Sequence, residues 1–383
     1  MSELSRHCDQ TISTFPWDHS EGTMVVNFGP QHPSTHGVFR LVLKLEGETI
    51  VDAMPVMGYL HRSVEKLSEE RSYLQCVPFT DRLDYLAPLS SNLALALAVE
   101  KLAGIEIPER ADYIRVIMVE LNRIASHLMA VGSLANDAGA FYTPLVYTFR
   151  DREKILDLFE MATGQRMTPS YIRFGGVSRD LPEQFVPACR DLMEEMPRNI
   201  DEYERMLSTN EIFLARTRKI GVLPPDIAVN YSMTGPNLRA SGVNYDLRKV
   251  ERHTLYDRFQ FEVPLGKAGD SYDRYLVRIQ EMRESVKIVK QALDQLPGGD
   301  VRAPIPKVLR PPKGDAYAQV ESAKGVLGFY LVSDGGPLPY RLKIRAPSFI
   351  NLTALRPLLI GHKVADAIVI LGSFDIVLGE IDR

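Results

Sequence analysis

RADYIRVIMVELNRIASHLMAVGSL, residues 110–134, is the stretch whose spacing decides the fold class of this chain. Ile114, Ile117, Leu121, Ile124, Leu128 and Val131 recur three or four positions apart, which places them on one face of a long α-helix. Working outward, Arg152–Ala162 presents Ile155, Leu158, Phe159 and Ala162 on one side. Asp273–Leu293 does the same with Tyr275, Ile279, Met282, Val286 and Val289. Leu89–Leu102 is apolar on most faces and reads as a buried helix. Several long helices of this kind predict a helical bundle at the centre of the chain.

The flanks read differently. Thr23–Phe28, Val38–Lys44 and Thr49–Met54 have strand character, with a turn at Glu46-Gly47-Glu48. Between the first two lies a turn-rich loop, GPQHPSTHG (residues 29–37), which carries His32 and His36. On the C-terminal side, prolines interrupt the pattern at Leu223-Pro224-Pro225 and over Ala303–Pro312. Tyr317–Glu321, Gly328–Ser333 and Tyr340–Ile344 then read as strands, and the tail Ala367–Arg383 mixes apolar runs with glycine and acids. The expected class is α+β, mainly a helical bundle core with a small N-terminal β-sheet domain and a mixed C-terminal segment. The expected boundaries are 1–20 (a loose lead-in), 21–57 (the β domain with the histidine loop), 58–297 (the bundle) and 298–383 (mixed α/β).

Composition narrows the function classes. Of 383 residues 45% are hydrophobic, enough for a sizeable core, and the net charge of -4 offers no basic stripe for nucleic acid. Three cysteines, Cys8, Cys76 and Cys189, lie far apart with no CxxC pair. That pattern suits a reducing compartment and is too sparse for an iron–sulfur cluster, which usually takes four thiolates. No secretory signal and no membrane-length apolar run is legible, so service to a membrane would be that of a peripheral protein.

Few residues invite chemistry. His32 and His36 share a rigid loop but have neither helical nor HExxH spacing, so metal ligation is not expected. One histidine there can cap a strand end, or present an imidazole of near-neutral pKa to a pocket as a proton donor. Asp81, Arg82, Asp84 and Tyr85 cluster just before an apolar helix, where the acids suit helix capping. Asp137, in AsnAspAlaGly, reads either as a helix-terminal turn or as a carboxylate that fixes a histidine's tautomer and raises its pKa. His127 reads as a structural histidine. Arg62, after His61, reads as a solvated arginine or as an interface cation.

Taken together, FGPQHPSTHGVFRL (28–41), GYLHRSVEKL (58–67), PFTDRLDYLAPL (78–89), YIRVIMVELNRIASHL (113–128) and ANDAGA (135–140) resemble the quinone-site (D-type) chain of NADH:quinone oxidoreductase, respiratory complex I. So do RFGGVSRDLP (173–182), SGVNYDLRK (241–249), GDSYDRYLVRIQEMRES (269–285), FYLVSDG (329–335) and the terminal GSFDIVLGEIDR, all in consistent order. That family is related to the large subunit of nickel–iron hydrogenases.

The resemblance implies a quinone-site subunit of a proton-pumping enzyme, active only within its complex. His36 and Tyr85 are implied to hydrogen-bond the quinone head group, with Asp137 as the partner of His36. Arg62 and Arg82 are implied to lie near the tetranuclear iron–sulfur cluster of a partner subunit, and His32 to share the mobile histidine loop. The implied partners are the cluster-bearing subunit of B type, subunits of C and I type and the membrane subunit of H type, with no nucleic acid. The implied location is the cytoplasmic face of the bacterial membrane. The alternative within the superfamily is the equivalent chain of a complex fed by ferredoxin or a deazaflavin.

The chemistry is consistent, because quinone reduction takes two electrons and two protons and Tyr and His both donate protons. Departures also count. Hydrogenase large subunits end in a DPCxxCxxH pattern; here Val377 and Glu380 stand at the thiolate positions, which argues against a nickel site. Ser63 replaces a glycine common in the family, which predicts a slightly altered backbone there. Thr168 replaces a histidine after Arg166-Met167, which leads us to expect a lower-potential quinone such as menaquinone. The Gly298–Lys313 region is shorter than in many relatives.

Overall fold

A computed structural model describes residues 22–383 apart from 141, 252 and 253; the expected lead-in 1–20 lies outside the described residues. Strands β1 (Thr23–Phe28), β2 (Arg40–Glu46) and β3 (Thr49–Val56) form an antiparallel sheet in that order, with an irregularity at Lys44/Leu45. Helices α1 (Pro88–Ala103), α2 (Glu109–Asp137) and α3 (Thr143–Thr163) follow. Helices α4 (Phe185–Ser208) and α5 (Ser271–Asp294) complete the bundle. A second antiparallel sheet contains β4 (Gly314–Ser322), β5 (Gly325–Ser333) and β6 (Arg341–Arg345), with β5 in the middle. The chain closes with α6 (Val364–Phe374) and the short α7 (Leu378–Asp382).

The class is therefore α+β, as the periodicity predicts. Helix α2 packs against α3 and α5, and α4 packs against the same two, giving a four-helix arrangement. Ile114, Ile117, Leu121, Ile124 and Leu128 are fully buried. Helix α1 lies against β4 and β5, which explains why it is apolar nearly all round.

Helix α4 is the element that the sequence reading does not place. Phe185, Cys189, Leu192, Met196, Ile200, Tyr203 and Leu207 form its buried stripe. Pro197 sits in mid-helix, where its missing N–H normally ends a helix. Packing of the stripe against α3 and α5 outweighs that local cost.

The two ends of the chain share a core. Leu41, Leu43, Leu45 and Ile50 of the first sheet pack in one cluster with Ile370, Leu371, Phe374 and Leu378 of the tail. Local periodicity contains no information about such a pairing.

Charge is buried in the bundle as well. Glu120 accepts from Tyr256 Oη and Ser285 Oγ, each at 2.6 Å, and pairs with Arg123 and Arg248. Burial alone would raise the pKa of its carboxyl, but the two guanidinium groups hold it at about 2. His127, fully buried, is pulled down to about 4 by burial, which its hydrogen bond to Glu281 (2.9 Å) only partly offsets. This is the structural histidine expected from sequence, although its Nδ1 has no partner among the described residues.

The sign for stability follows from linkage. An unfolded histidine takes up its proton near 6.5, whereas the folded one resists to about 4, so acidification across that window favours the unfolded chain. Below the ordinary value of 4.5, Glu120 adds a loss that continues to about 2. Urea midpoints are expected to fall steadily from neutral pH downward; a midpoint unchanged to pH about 4 would show that His127 does not contribute in this way.

Candidate functional site

Where the histidine loop, the turn before α1, the C-terminal end of α2 and the tail meet, a cleft of about 280 Å³ opens. His36, Tyr85 and Asp137 all line it, with Met129, Phe149 and Val377 supplying apolar wall. The three polar residues predicted from sequence thus converge on one cavity.

His36 ends a single 3₁₀ turn, Pro33–Thr35, and itself adopts φ 54° and ψ 34°. A non-glycine residue rarely holds that left-handed conformation unless its surroundings impose it, and such strain collects at functional sites. Here the turn is anchored from below: Thr35 is buried and its hydroxyl donates to His32 O at 2.6 Å, while the whole turn rests on α6. The imidazole points away from its own loop, and His36 Nε2 donates to Asp137 Oδ2 at 2.5 Å.

Asp137 is the last residue of α2. A carboxylate at a helix C-terminus faces the negative end of the dipole, so a cationic partner is the favourable one. The pair fits because position 372 is glycine. A Cβ there would lie 2.5 Å from Asp137 Oδ2 and 3.3 Å from His36 Nε2. The terminal GSFD motif contains this glycine, but nothing local in the sequence marks it as the roof of an ion pair.

Burial lowers the basicity of His36, but the hydrogen bond and charge of Asp137, with Asp375 beyond it, raise its pKa above the ordinary imidazole value despite Lys324. The surroundings thus favour the charged form of the ring. Replacing Asp137 with asparagine removes the main opposing influence and leaves burial dominant. Carbethoxylation of His36, which requires neutral imidazole, is expected to begin at lower pH in Asp137→Asn. Mass spectrometry of the modified peptide reads the shift, and an unmoved midpoint would mean that Asp137 does not set the charge of this ring.

Tyr85 sits in the turn before α1, its ring 3.2 Å from where a Cβ of Gly379 would lie. Burial and the neighbouring Asp84 push its hydroxyl above the ordinary phenol value, against the pull of Arg62. It holds its proton at neutral pH and can donate it.

The other predicted residues lie apart from the cleft. His32 is exposed; its Nδ1 accepts from Ser34 N at 3.2 Å, and its ring meets Phe28 edge-on, so it braces its own loop. Arg62 and Arg82 are exposed and adjacent: Arg62 Nη2 donates to Arg82 O at 2.8 Å and Gly379 O at 3.2 Å, and Arg82 Nη1 donates to Pro78 O at 2.8 Å. They form a cationic surface behind the turn that carries Tyr85.

The capping reading of Asp81 and Asp84 does not hold for α1, whose N-cap is Ala87 with Pro88 following. Asp84 instead accepts from the N–H groups of Leu86 and Ala87 within the preceding turn, and Asp81 accepts from Ser170 N at 3.3 Å. Ser63 stands at φ 56°, the left-handed region that glycine enters freely, so serine holds a glycine-type turn at a cost of roughly 1–2 kcal/mol. Thr168, at φ 51°, is likewise left-handed.

Sequence reasoning missed Lys324. Its ammonium is buried and binds Asp375 Oδ2 and Ser126 Oγ, each at 2.7 Å, and Asp375 in turn lines the cleft.

Comparison with known proteins follows the same line. Residues 137–383 match the family model described as respiratory-chain NADH dehydrogenase, 49 Kd subunit. The D 1 subunit of the NADH-quinone oxidoreductase of Roseiflexus sp. is 58% identical over 366 residues, covering 94% of this chain and 98% of the relative. The D subunit of the same enzyme in Dehalococcoides mccartyi is 57% identical with the same coverage. Its counterpart in Clostridium beijerinckii is 54% identical over 95% of this chain and 98% of its own length.

Proposed function

Because the chain belongs to the 49 kDa subunit family of respiratory-chain NADH dehydrogenases, we propose that its cleft forms one wall of the site where a quinone is reduced to quinol within the complex. The observation that carries this reading is the convergence of an imidazole biased toward its charged form and a protonated phenol on one apolar-walled cavity.

The chemistry divides between this chain and its partner. Electrons come from an iron–sulfur cluster held by the neighbouring subunit, for which the exposed pair Arg62 and Arg82 provides a cationic docking surface. Each added electron makes the quinone oxygens more basic. His36 gives one proton and Tyr85 the other, and Asp137 keeps the imidazole oriented and charged until it reacts. The apolar wall of Met129, Phe149 and Val377 accommodates the head group and limits water.

Among the described residues no helix is long and apolar enough to cross a membrane. By its family we place this subunit at the cytoplasmic face, meeting the membrane through partners of the H type and lying beside subunits of B, C and I type. The quinone we propose is a low-potential one of the menaquinone kind, since Thr168 brings no ionisable group to the segment after Arg166.

The test is photolabelling of the assembled complex with a short-chain azidoquinone, with the co-purifying quinone identified alongside. Label is expected on peptides spanning Met129–Phe149 or Gly372–Val377, suppressed by excess quinone. Label confined to other regions of the complex would overturn the assignment.

A further inference from the structure

Next to the cleft lies a second group of acids that the chemistry above leaves unused. Helix α7 runs beneath the turn carrying Tyr85, so closely that a Cβ on Gly379 would lie 2.4 Å from Leu83 O and 2.7 Å from Arg82 O. This contact brings the residue after Gly379, Glu380, into the same dry interior as Asp84, and both are at most 1% exposed.

Each carboxyl spends one oxygen on backbone. Glu380 Oε1 accepts from Ser348 N at 2.9 Å; Asp84 Oδ1 accepts from Leu86 N and Ala87 N, each at 3.1 Å. The remaining oxygens, Glu380 Oε2 and Asp84 Oδ2, have no partner among the described residues. The cations around them are few and largely committed. Lys324 is bound directly to Asp375, Arg278 stands 3.7 Å from Asp375, and Arg345 faces the group from β6. Two ionised carboxylates with bare oxygens in such a space carry a large desolvation cost, which one retained proton removes. In keeping with that, burial raises both carboxyls above their usual range, the charge of Asp375 adding to it at Asp84 and the charge of Asp84 adding to it at Glu380, with Lys324 opposing.

We propose that Asp84 and Glu380 share one proton and serve as a buried proton-holding pair for the cleft, with Lys324 and Asp375 lying between the pair and the reacting groups. The proposal rests on the quinone reading above. Quinone takes two electrons from the partner's cluster and two protons, one from His36 and one from Tyr85. The pair then gives up its proton, which passes by way of Lys324 and Asp375 to the Tyr85 phenolate. The pair is left doubly ionised until solvent returns a proton, and Lys324 and Asp375 end unchanged.

The test uses the assembled complex. Glu380→Gln keeps the shape and the acceptor for Ser348 N but holds no exchangeable acid proton. Quinone turnover is expected to fall roughly tenfold at neutral pH, the effect typical of a supporting shell, and the alkaline limb of its pH profile to flatten. NADH oxidation by a soluble one-electron acceptor should be unchanged. A turnover profile superimposable on wild type overturns the proposal. A second measurement does not depend on turnover: wild type should show the infrared carbonyl band of a buried protonated carboxyl, shifted in deuterium oxide and absent from both Glu380→Gln and Asp84→Asn. Absence of that band in wild type also overturns it. Tyr85→Phe, run in parallel, separates the two readings. If it slows turnover while Glu380→Gln leaves the profile unchanged, the pair proposal fails alone; if it leaves turnover unchanged, the quinone assignment fails, and the infrared band still decides whether the pair holds a proton.

Discussion

Arg239→Met is expected to destabilise the fold by about 3–5 kcal/mol, enough to lower the yield of assembled complex sharply. The guanidinium of Arg239 is fully buried. Its Nε donates to Glu281 Oε1 at 2.8 Å, and its Nη1 donates to Glu321 Oε1 at 2.7 Å and Tyr245 O at 3.1 Å. Asp246 stands 3.7 Å away. Three buried carboxylates therefore face this one cation; Arg248 also binds Asp246 at 2.7 Å, whereas His127, pulled down to about 4, brings Glu281 a hydrogen bond but no positive charge at neutral pH. Methionine fills much of the volume but leaves negative charge in the core without a counter-ion. Removal of one partner from a buried pair costs far more than the intact pair contributes. Arg356→Met is the control, because the Arg356–Asp52 bridge is exposed, with side-chain accessibilities of 61% and 19%, and such pairs contribute about 0–1 kcal/mol. Melting temperatures of the two variants decide the matter: equal values would mean that the buried network tolerates the loss by taking up protons.

Tyr85→Phe should lower quinone turnover by about 10²–10⁴-fold, the usual size of a lost proton-transfer group. The change removes one oxygen and keeps the ring against Gly379, so the cleft wall and the docking surface of Arg62 and Arg82 stay in place. The loss should fall on kcat, because the phenol matters most when the quinone oxygen becomes basic. Assembly should match wild type. A variant with normal kcat would remove Tyr85 from the chemistry, whatever its position in the cleft.

Helices α1, α2 and α5 and all the longer strands follow from periodicity within a few positions, because side-chain direction repeats along a single element, whereas α3 begins at Thr143, well before the expected start at Arg152. Helix α4 is not legible in that way, since Pro197 is a local signal against helix and the buried stripe that overrides it needs α3 and α5 to be seen. His36, Tyr85 and Asp137 stand out in the sequence by resemblance, and the cleft brings them together. His32 stands out with them but turns into its own loop.

By itself, then, the amino-acid sequence determined the α+β class, the course of most elements and, through motifs in fixed order, the family. What only the tertiary structure decided is which distant groups meet: His36 with Asp137 at a separation of 101 residues, Gly372 over that pair, the N-terminal sheet in one core with the tail, and Asp84 in one dry space with Glu380. The physical reason is that amphipathic periodicity is a property of a single element. Desolvation and charge pairing belong to the space between elements, and that space exists only once the chain has closed on itself.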